Sequence, residues 1–250
     1  LIMRLMKRIL SAAAVLALSA SLLVGCSSGT ASSVPVSASS AAESTVSSVE
    51  ETASSAVDEN EAAAAQLLND LTGSYQELWP VILADEYKQT WLDDCTALVG
   101  EDNAEAAFEK LSSMVTGDVY GEDAVKAYAN GGGAYFCGFT NSLATLTFDG
   151  ETSTISGTDK DGNVLFSHTY HYIGMEPVRG LYEFESDDAD SGEFTYFFLA
   201  PDTSAETYHI EFRYGSDAEA LSQYDAGEYA YWLASGISTD CDQTMIDNCI

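Results

Sequence analysis

The sequence predicts an α+β protein in which helices precede a barrel or sandwich of short antiparallel strands. Three observations carry that reading. Apolar residues recur at three- and four-residue spacing up to about residue 129 and alternate from Ala134 onward, with Gly131-Gly132-Gly133 as a hinge between the two regimes. Turn signals then divide the alternating part into many short runs. Finally, 46% of the 250 residues are hydrophobic, including 14 Tyr, 10 Phe and 3 Trp, which is enough material for a sizeable core.

The chain opens on a basic patch (Arg4, Lys7, Arg8), an apolar run from Ile9 to Val24, and Gly25-Cys26. That run is too short and wrongly flanked for a stable transmembrane helix. Residues 1–26 read as a signal peptide, and Leu23-Val24-Gly25-Cys26 resembles a lipobox, whose cysteine is acylated; the competing reading is an ordinary signal with a chance cysteine. Residues 27–57 are a Ser/Ala-rich tether, with 12 Ser and 6 Ala between Ser27 and Ala56. Such a tract buries too little apolar surface to offset its chain entropy, and its Ser and Thr compete with a helix for backbone hydrogen bonds.

A folded domain is expected over 58–236, followed by a tail over 237–250. Asp58-Glu-Asn-Glu61 places acids in the first turn of a helix running from Ala62 to Leu71. Gly73 interrupts it, and Pro80 lies inside the next apolar stretch, Tyr75 to Leu83. Tyr87, Trp91, Cys95 and Leu98 mark a helix over Asp85 to Val99. Further helices are predicted over Ala104 to Met114 and Glu122 to Ala129. Expected strands are Ala134–Phe139, Leu143–Phe148, Glu151–Gly157, Asn163–Ile173, Gly180–Glu185, Glu193–Leu199 and Glu206–Tyr214. They are separated by Asp149-Gly150, Asp161-Gly162, an acidic loop from Ser186 to Gly192, and Pro201-Asp202. Asp217 to Gly236 reads as a return to helix, ending in Tyr224, Tyr229, Tyr231 and Trp232.

Nine Lys and Arg against 40 Asp and Glu give a net charge of -31, which would repel a phosphate backbone, so nucleic acid is not an expected partner. Loss of the signal peptide removes three cations and no acid, leaving -34. The triple glycine lacks the context of a phosphate-binding loop. Asp159-Lys-Asp161-Gly162-Asn163 has its glycine in the wrong place for a calcium loop and reads as a hairpin turn. No nucleophile elbow occurs, and three histidines offer few general bases, so the chain is not expected to be an enzyme. His168 and His171, three apart on a strand, should point to opposite faces. His209 and Glu211 share a face of their strand. That face is half-exposed if Tyr208, Ile210, Phe212 and Tyr214 pack on the core. If instead the strand lines a polar lumen, the pair points inward, where imidazole and carboxylate suit zinc. Cys95 and Cys137 read as buried thiols, and Cys241 with Cys249 as a candidate small disulfide loop.

Several segments, in order, resemble the ZinT (YodA) family. They are Leu68-Asn-Asp70-Leu-Thr-Gly73-Ser-Tyr-Gln76-Glu-Leu-Trp-Pro80-Val-Ile-Leu83, then Thr147-Phe-Asp-Gly150, Tyr170-His-Tyr-Ile-Gly174, Val178-Arg179-Gly-Leu-Tyr-Glu183, Phe194-Thr-Tyr-Phe-Phe-Leu-Ala200-Pro201 and Thr207-Tyr-His209-Ile. Leu221 and the Tyr229 to Trp232 cluster complete a match over about residues 61 to 236. The resemblance implies a lipocalin-like (calycin) antiparallel β-barrel with N-terminal helices and a short C-terminal helix. It also implies an extracytoplasmic protein that binds zinc, sometimes cadmium, and supports uptake by a zinc ABC transporter or its solute-binding protein. With Cys26 as the lipid attachment, the expected place is the outer face of the bacterial cytoplasmic membrane, reached through the lipid anchor alone.

The departures from the family are specific. Members draw three histidine ligands from a Ser-Asp-His-x-x-Ala-Pro and a Ser-His-Phe-His segment; here Phe197-Phe198-Leu199 precede Ala200-Pro201, and Thr207 stands at the first position of the pair. Only His209 remains. The expected zinc ligands are therefore His209 with Glu211, Glu206, His171 and His168, Asp202 being a further acid within reach in sequence. The alternative is a barrel that has lost its metal and holds a small ligand or a surface partner.

Overall fold

A computed structural model describes residues 59–129, 135–202 and 204–250. The expected signal peptide, tether and acylated Cys26 lie outside the described residues. Among them no helix is long and apolar enough to cross a membrane.

Eight antiparallel strands close into a barrel in sequence order: β1 Gly73–Glu77, β2 Thr145–Asp149, β3 Thr154–Thr158, β4 Val164–Met175, β5 Tyr182–Ser186, β6 Tyr196–Leu199, β7 Ile210–Gly215 and β8 Ala234–Ser238. The final pairing, Tyr75 with Ser238, joins the first strand to the last. Ahead of most of the barrel come α1 over 59–70, α2 Leu78–Ile82, a 3-10 turn Asp85–Tyr87, α3 Lys88–Val99, α4 Glu101–Val115 and α5 Glu122–Ala129. One-turn helices α6 Ser204–Thr207 and α7 Ala218–Leu221 flank β7, and α8 Gln243–Cys249 follows β8. The α+β class and the closed antiparallel barrel with helices are thus both present.

Alternation sorts side chains to the two sides of the wall. Leu146, Phe148, Ile155, Phe166, Tyr170, Phe184, Phe197, Ile210, Phe212 and Tyr214 fill the inside. Stacked and edge-on rings lock them together, as with Phe166 on Phe194 at 4.0 Å and Tyr214 against Trp232 at 4.9 Å. Of the two alternatives for the barrel interior, the apolar row packed on the core is the one present and not the polar lumen: the interior is an aromatic core. Gly157 belongs to this packing, since a Cβ there would stand 2.4 Å from Leu143 Cδ1 and 2.5 Å from Phe166 Cε1.

A second cluster lies against the outer wall, where Leu78, Trp79 and Ile82 of α2, Trp91, Val115, Cys137 and Ile237 meet Ile246, Cys249 and Ile250 of the C-terminal segment. Arg213 also faces outward and is fully buried; its guanidinium donates to the carbonyls of Leu221 and Tyr229 and stacks 4.4 Å from the Tyr224 ring, fastening the 217–233 segment to β7.

Two predicted elements differ. Ala134–Phe139 is not a strand among the described residues: Phe136 makes only isolated bridges to Thr116 and Trp232, because its neighbours Cys137 and Gly138 bond to the 232–235 segment instead of a continuous ladder. Asp217–Gly236 holds one helical turn, α7, and then the closing strand β8. The helix ends at Leu221, and between it and β8 the chain runs through turns that include Gly227 at φ +78 and Tyr231 at φ +57, conformations no α-helix contains. A strand was also present where only an apolar stretch was expected, at Gly73–Glu77, with Pro80 in the first turn of α2, the part of a helix where proline is tolerated.

Candidate metal-binding site

The turn entering β7 sets the geometry. Tyr208 adopts φ +66, a left-handed conformation costly for a non-glycine residue, and so leaves the alternating row to pack in the outer cluster. The hydroxyl of Thr207 donates to the His209 carbonyl at 2.7 Å, and the ring of His209 turns back so that Nδ1 lies 2.8 Å from the Thr207 carbonyl. A carbonyl only accepts, so Nδ1 carries the hydrogen and Nε2 is the atom left to face other groups.

Nε2 faces Glu211 Oε1, 3.9 Å away on the same outward face, and the Cys249 thiol, reaching back from the last turn of α8, lies 3.6 Å from the neighbouring Tyr208 carbonyl. His209 is 9% exposed and Cys249 3%, whereas the Glu211 side chain is 46% exposed. Burial alone would lower the His209 pKa; the contacts with Cys249 and Glu211 outweigh it and raise it to about 10. The inward alternative is corrected: with Ile210, Phe212 and Tyr214 in the aromatic core, His209 and Glu211 point away from the lumen.

The other two histidines sit on opposite faces of β4, as the spacing predicts. His168 shares the inner row with Phe166 and Tyr170, stacks on Phe166 at 5.9 Å and meets Asp188 at 2.6 Å. His171 lies on the outer row, 2.7 Å from Asp187 and 4.0 Å from Glu185 directly across the β4–β5 ladder. The structure therefore brings each to the acidic loop after β5 and neither to His209. Glu206 is exposed on α6, and Phe197, Phe198 and Leu199, where the resembled family has a ligand segment, are buried and apolar.

Zinc bound tetrahedrally at about 2.0 Å by nitrogen and oxygen holds those donors roughly 3.3 Å apart. The 3.9 Å pair at His209 is wider than that by about 0.6 Å, which a rotation of the half-exposed Glu211 side chain can close. As they stand, no three His, Cys, Asp or Glu side chains among the described residues are gathered to hold a metal ion. Imidazole and carboxylate are nonetheless donor types that zinc takes, so the chemistry fits while the spacing needs that closure.

Cys249 is the neighbour that sequence reading offered only as a candidate disulfide partner of Cys241. Both are free thiols. Cys241 precedes the N-cap Asp242 of α8 and Cys249 ends the helix, so at 1.5 Å per residue their backbones stand on the order of 12 Å apart, beyond the roughly 7 Å a disulfide spans. No sequence signal connects Cys249 to His209; only the docking of α8 does.

No family model matches the sequence, and no curated protein matches it. Among solved structures the chain is similar to Zn(II)-bound AdcA from Streptococcus pneumoniae, at 16% identity and TM-score 0.45 over 73% of this chain and 34% of that one. It is similar to the Zn(II)-bound ZinT-like domain of the same protein at 16% identity and TM-score 0.45, covering 72% of this chain and 89% of that one. The chain thus spans about a third of the length of AdcA. Likeness at this distance transfers neither a ligand nor a site.

Proposed function

We propose that this chain is an extracytoplasmic, lipid-anchored binding protein of ZinT type that gathers zinc for uptake by a membrane transporter, with His209 and Glu211 as its metal-facing pair. The observation that carries the reading is the orientation of His209: its Nδ1–H is tied to the Thr207 carbonyl, which fixes the ring and aims Nε2 at a carboxylate. Outer-shell ties of this kind recur behind metal-ligating histidines. The charge of -31 supports the reading more generally, because it raises the local concentration of cations. Attachment through Cys26 and transfer to a transporter are the parts of the proposal that the lipobox-like segment and the family resemblance support.

A second reading, a metal-free module that recognises a surface partner, is favoured by one observation: the aromatic interior leaves the barrel's inside to Phe, Tyr and Leu side chains instead of a ligand. Elemental analysis of the purified protein with a zinc titration of wild type and His209→Ala decides between them. The zinc reading expects one bound ion and weaker binding in the variant; sub-stoichiometric metal, or equal affinity in both proteins, overturns it.

A further inference from the structure

Two arginines lie on one aromatic ring outside the barrel. The Arg213 guanidinium stands 4.4 Å and the Arg179 guanidinium 4.3 Å from the Tyr224 centroid. Arg213 is fully buried on β7, whereas Arg179 comes from the turn between β4 and β5 and is half-buried. We infer that these two arginines, with the Tyr135 phenol, form a binding site for a small monocarboxylate on the outer wall of β7. The inference is independent of the zinc reading.

Unused donors point to a ligand. Arg213 spends its two terminal nitrogens on the carbonyls of Leu221, Gln223 and Tyr229, and its Nε is buried with no partner. The Tyr135 oxygen is likewise buried and unpartnered. The ring of Tyr135 packs edge-on against Tyr231 at 5.8 Å, and Tyr231 N donates to the Tyr224 carbonyl at 2.8 Å, so the orphaned phenol adjoins the layer that holds both guanidiniums. Burial raises the Tyr135 pKa, and the charges of Arg179 and Arg213 pull against that rise. Native proteins rarely leave buried donors without a partner, and a bound acceptor removes the cost of doing so.

Charge selects the acceptor. The carboxylate tied into this layer is Glu176, fully buried, which accepts from Val178 N at 2.6 Å, Arg179 N at 2.7 Å and Tyr224 Oη at 3.3 Å. Among the described residues neither guanidinium lies in an ion pair. Two cations against one buried carboxylate leave a single positive charge, in surroundings where an anion is held more strongly than in water. A planar carboxylate matches the fork of a guanidinium. A polyanion or an acidic protein surface does not fit, because the net charge of -31 repels it, and a small, singly charged ligand meets least of that repulsion. Arg179 forms the entrance and Arg213 the floor.

The test uses the full chain labelled with nitrogen-15 and titrated with sodium acetate at constant ionic strength, because the Nε–H resonance of Arg213 reports on the orphaned atom itself. The expected results are a saturable shift of that resonance, no response to the neutral isostere acetamide, and acetate binding weaker by about tenfold or more in Arg179→Met, which keeps an apolar stem on the Tyr224 ring and loses a charge-assisted hydrogen bond. Tyr135→Phe should also weaken acetate. A linear response that never saturates, an equal response to acetamide, or unchanged affinity in Arg179→Met overturns the inference. Tighter binding of a polyglutamate peptide than of acetate overturns the choice of a small free ligand. The wild-type titrations with acetate and acetamide decide the point even if Arg179→Met does not fold.

Discussion

The phenol of Tyr214 offers the sharpest check on the barrel interior. Its oxygen accepts from Thr140 N at 2.6 Å and Thr140 Oγ1 at 3.0 Å, and it donates to the Thr140 carbonyl at 2.9 Å, all in buried surroundings. Tyr214→Phe keeps the ring, and with it the stacking on Phe197 and Phe194, while deleting only that oxygen. The Thr140 carbonyl retains a bond from Leu143 N, so it is not orphaned. The Thr140 amide is, at about 1–3 kcal/mol, and the hydroxyl contact adds about 1 kcal/mol. A loss of about 2–4 kcal/mol is expected. For a domain of this size each kcal/mol moves Tm by roughly 2–4 °C, so the midpoint should fall by about 4–16 °C. Urea unfolding followed by near-ultraviolet circular dichroism reads the same quantity. A loss under about 0.5 kcal/mol would refute the claim that the 140 turn is pinned through this oxygen.

Gly150→Ala should cost about 3 kcal/mol by thermal melt, since its Cβ would sit 2.4 Å from Asn69 Cα and 2.6 Å from the Leu68 carbonyl, backbone atoms that cannot step aside; a neutral change would place the turn after β2 elsewhere. Burial, with help from Glu211, raises the Cys137 thiol from 9.0 to about 12. Its stabilising contribution is therefore complete below about pH 9 and lost as pH rises through about 12, and Cys137→Ala should flatten that part of the stability–pH curve. His171→Gln, which breaks the pair with Asp187 at the exposed rim, should change stability by under about 1 kcal/mol and leave zinc affinity as it was; a drop in affinity would move the metal site to β4 and β5.

Much of the fold is legible because period and burial coincide. Leu146, Phe148, Phe166, Tyr170, Phe212 and Tyr214 alternate with polar residues, and each is an inward residue of a strand. Helices Lys88–Val99 and Glu122–Ala129 stand where Trp91, Cys95 and the acidic first turn of α5 put them. The closing strand was hidden for a physical reason. Ala234-Ser-Gly-Ile-Ser238 is covered on both sides, so it has no polar face to alternate with, and the aromatic run before it mimics a helix end. The candidate site was half legible. His209 and Glu211 were found by sharing a face, but the direction of that face depended on the lumen being aromatic. The presence of Cys249 depended on a helix 40 residues later folding back onto the turn.

The closure of the barrel sets the order in which the molecule can be made. β1 and β8 pair across more than 160 residues, Tyr75 with Ser238, so their ladder is the most non-local in the sheet, and its loop-closure entropy is spent before any contact rewards it. Until Ala234–Ser238 is in place, β1 and β7 each present an open edge, and their unpaired amides and carbonyls are available to a neighbouring chain. A product ending before residue 234 should therefore aggregate rather than merely lose its tail. The segment that brings Cys249 to His209 arrives only after the sheet has sealed.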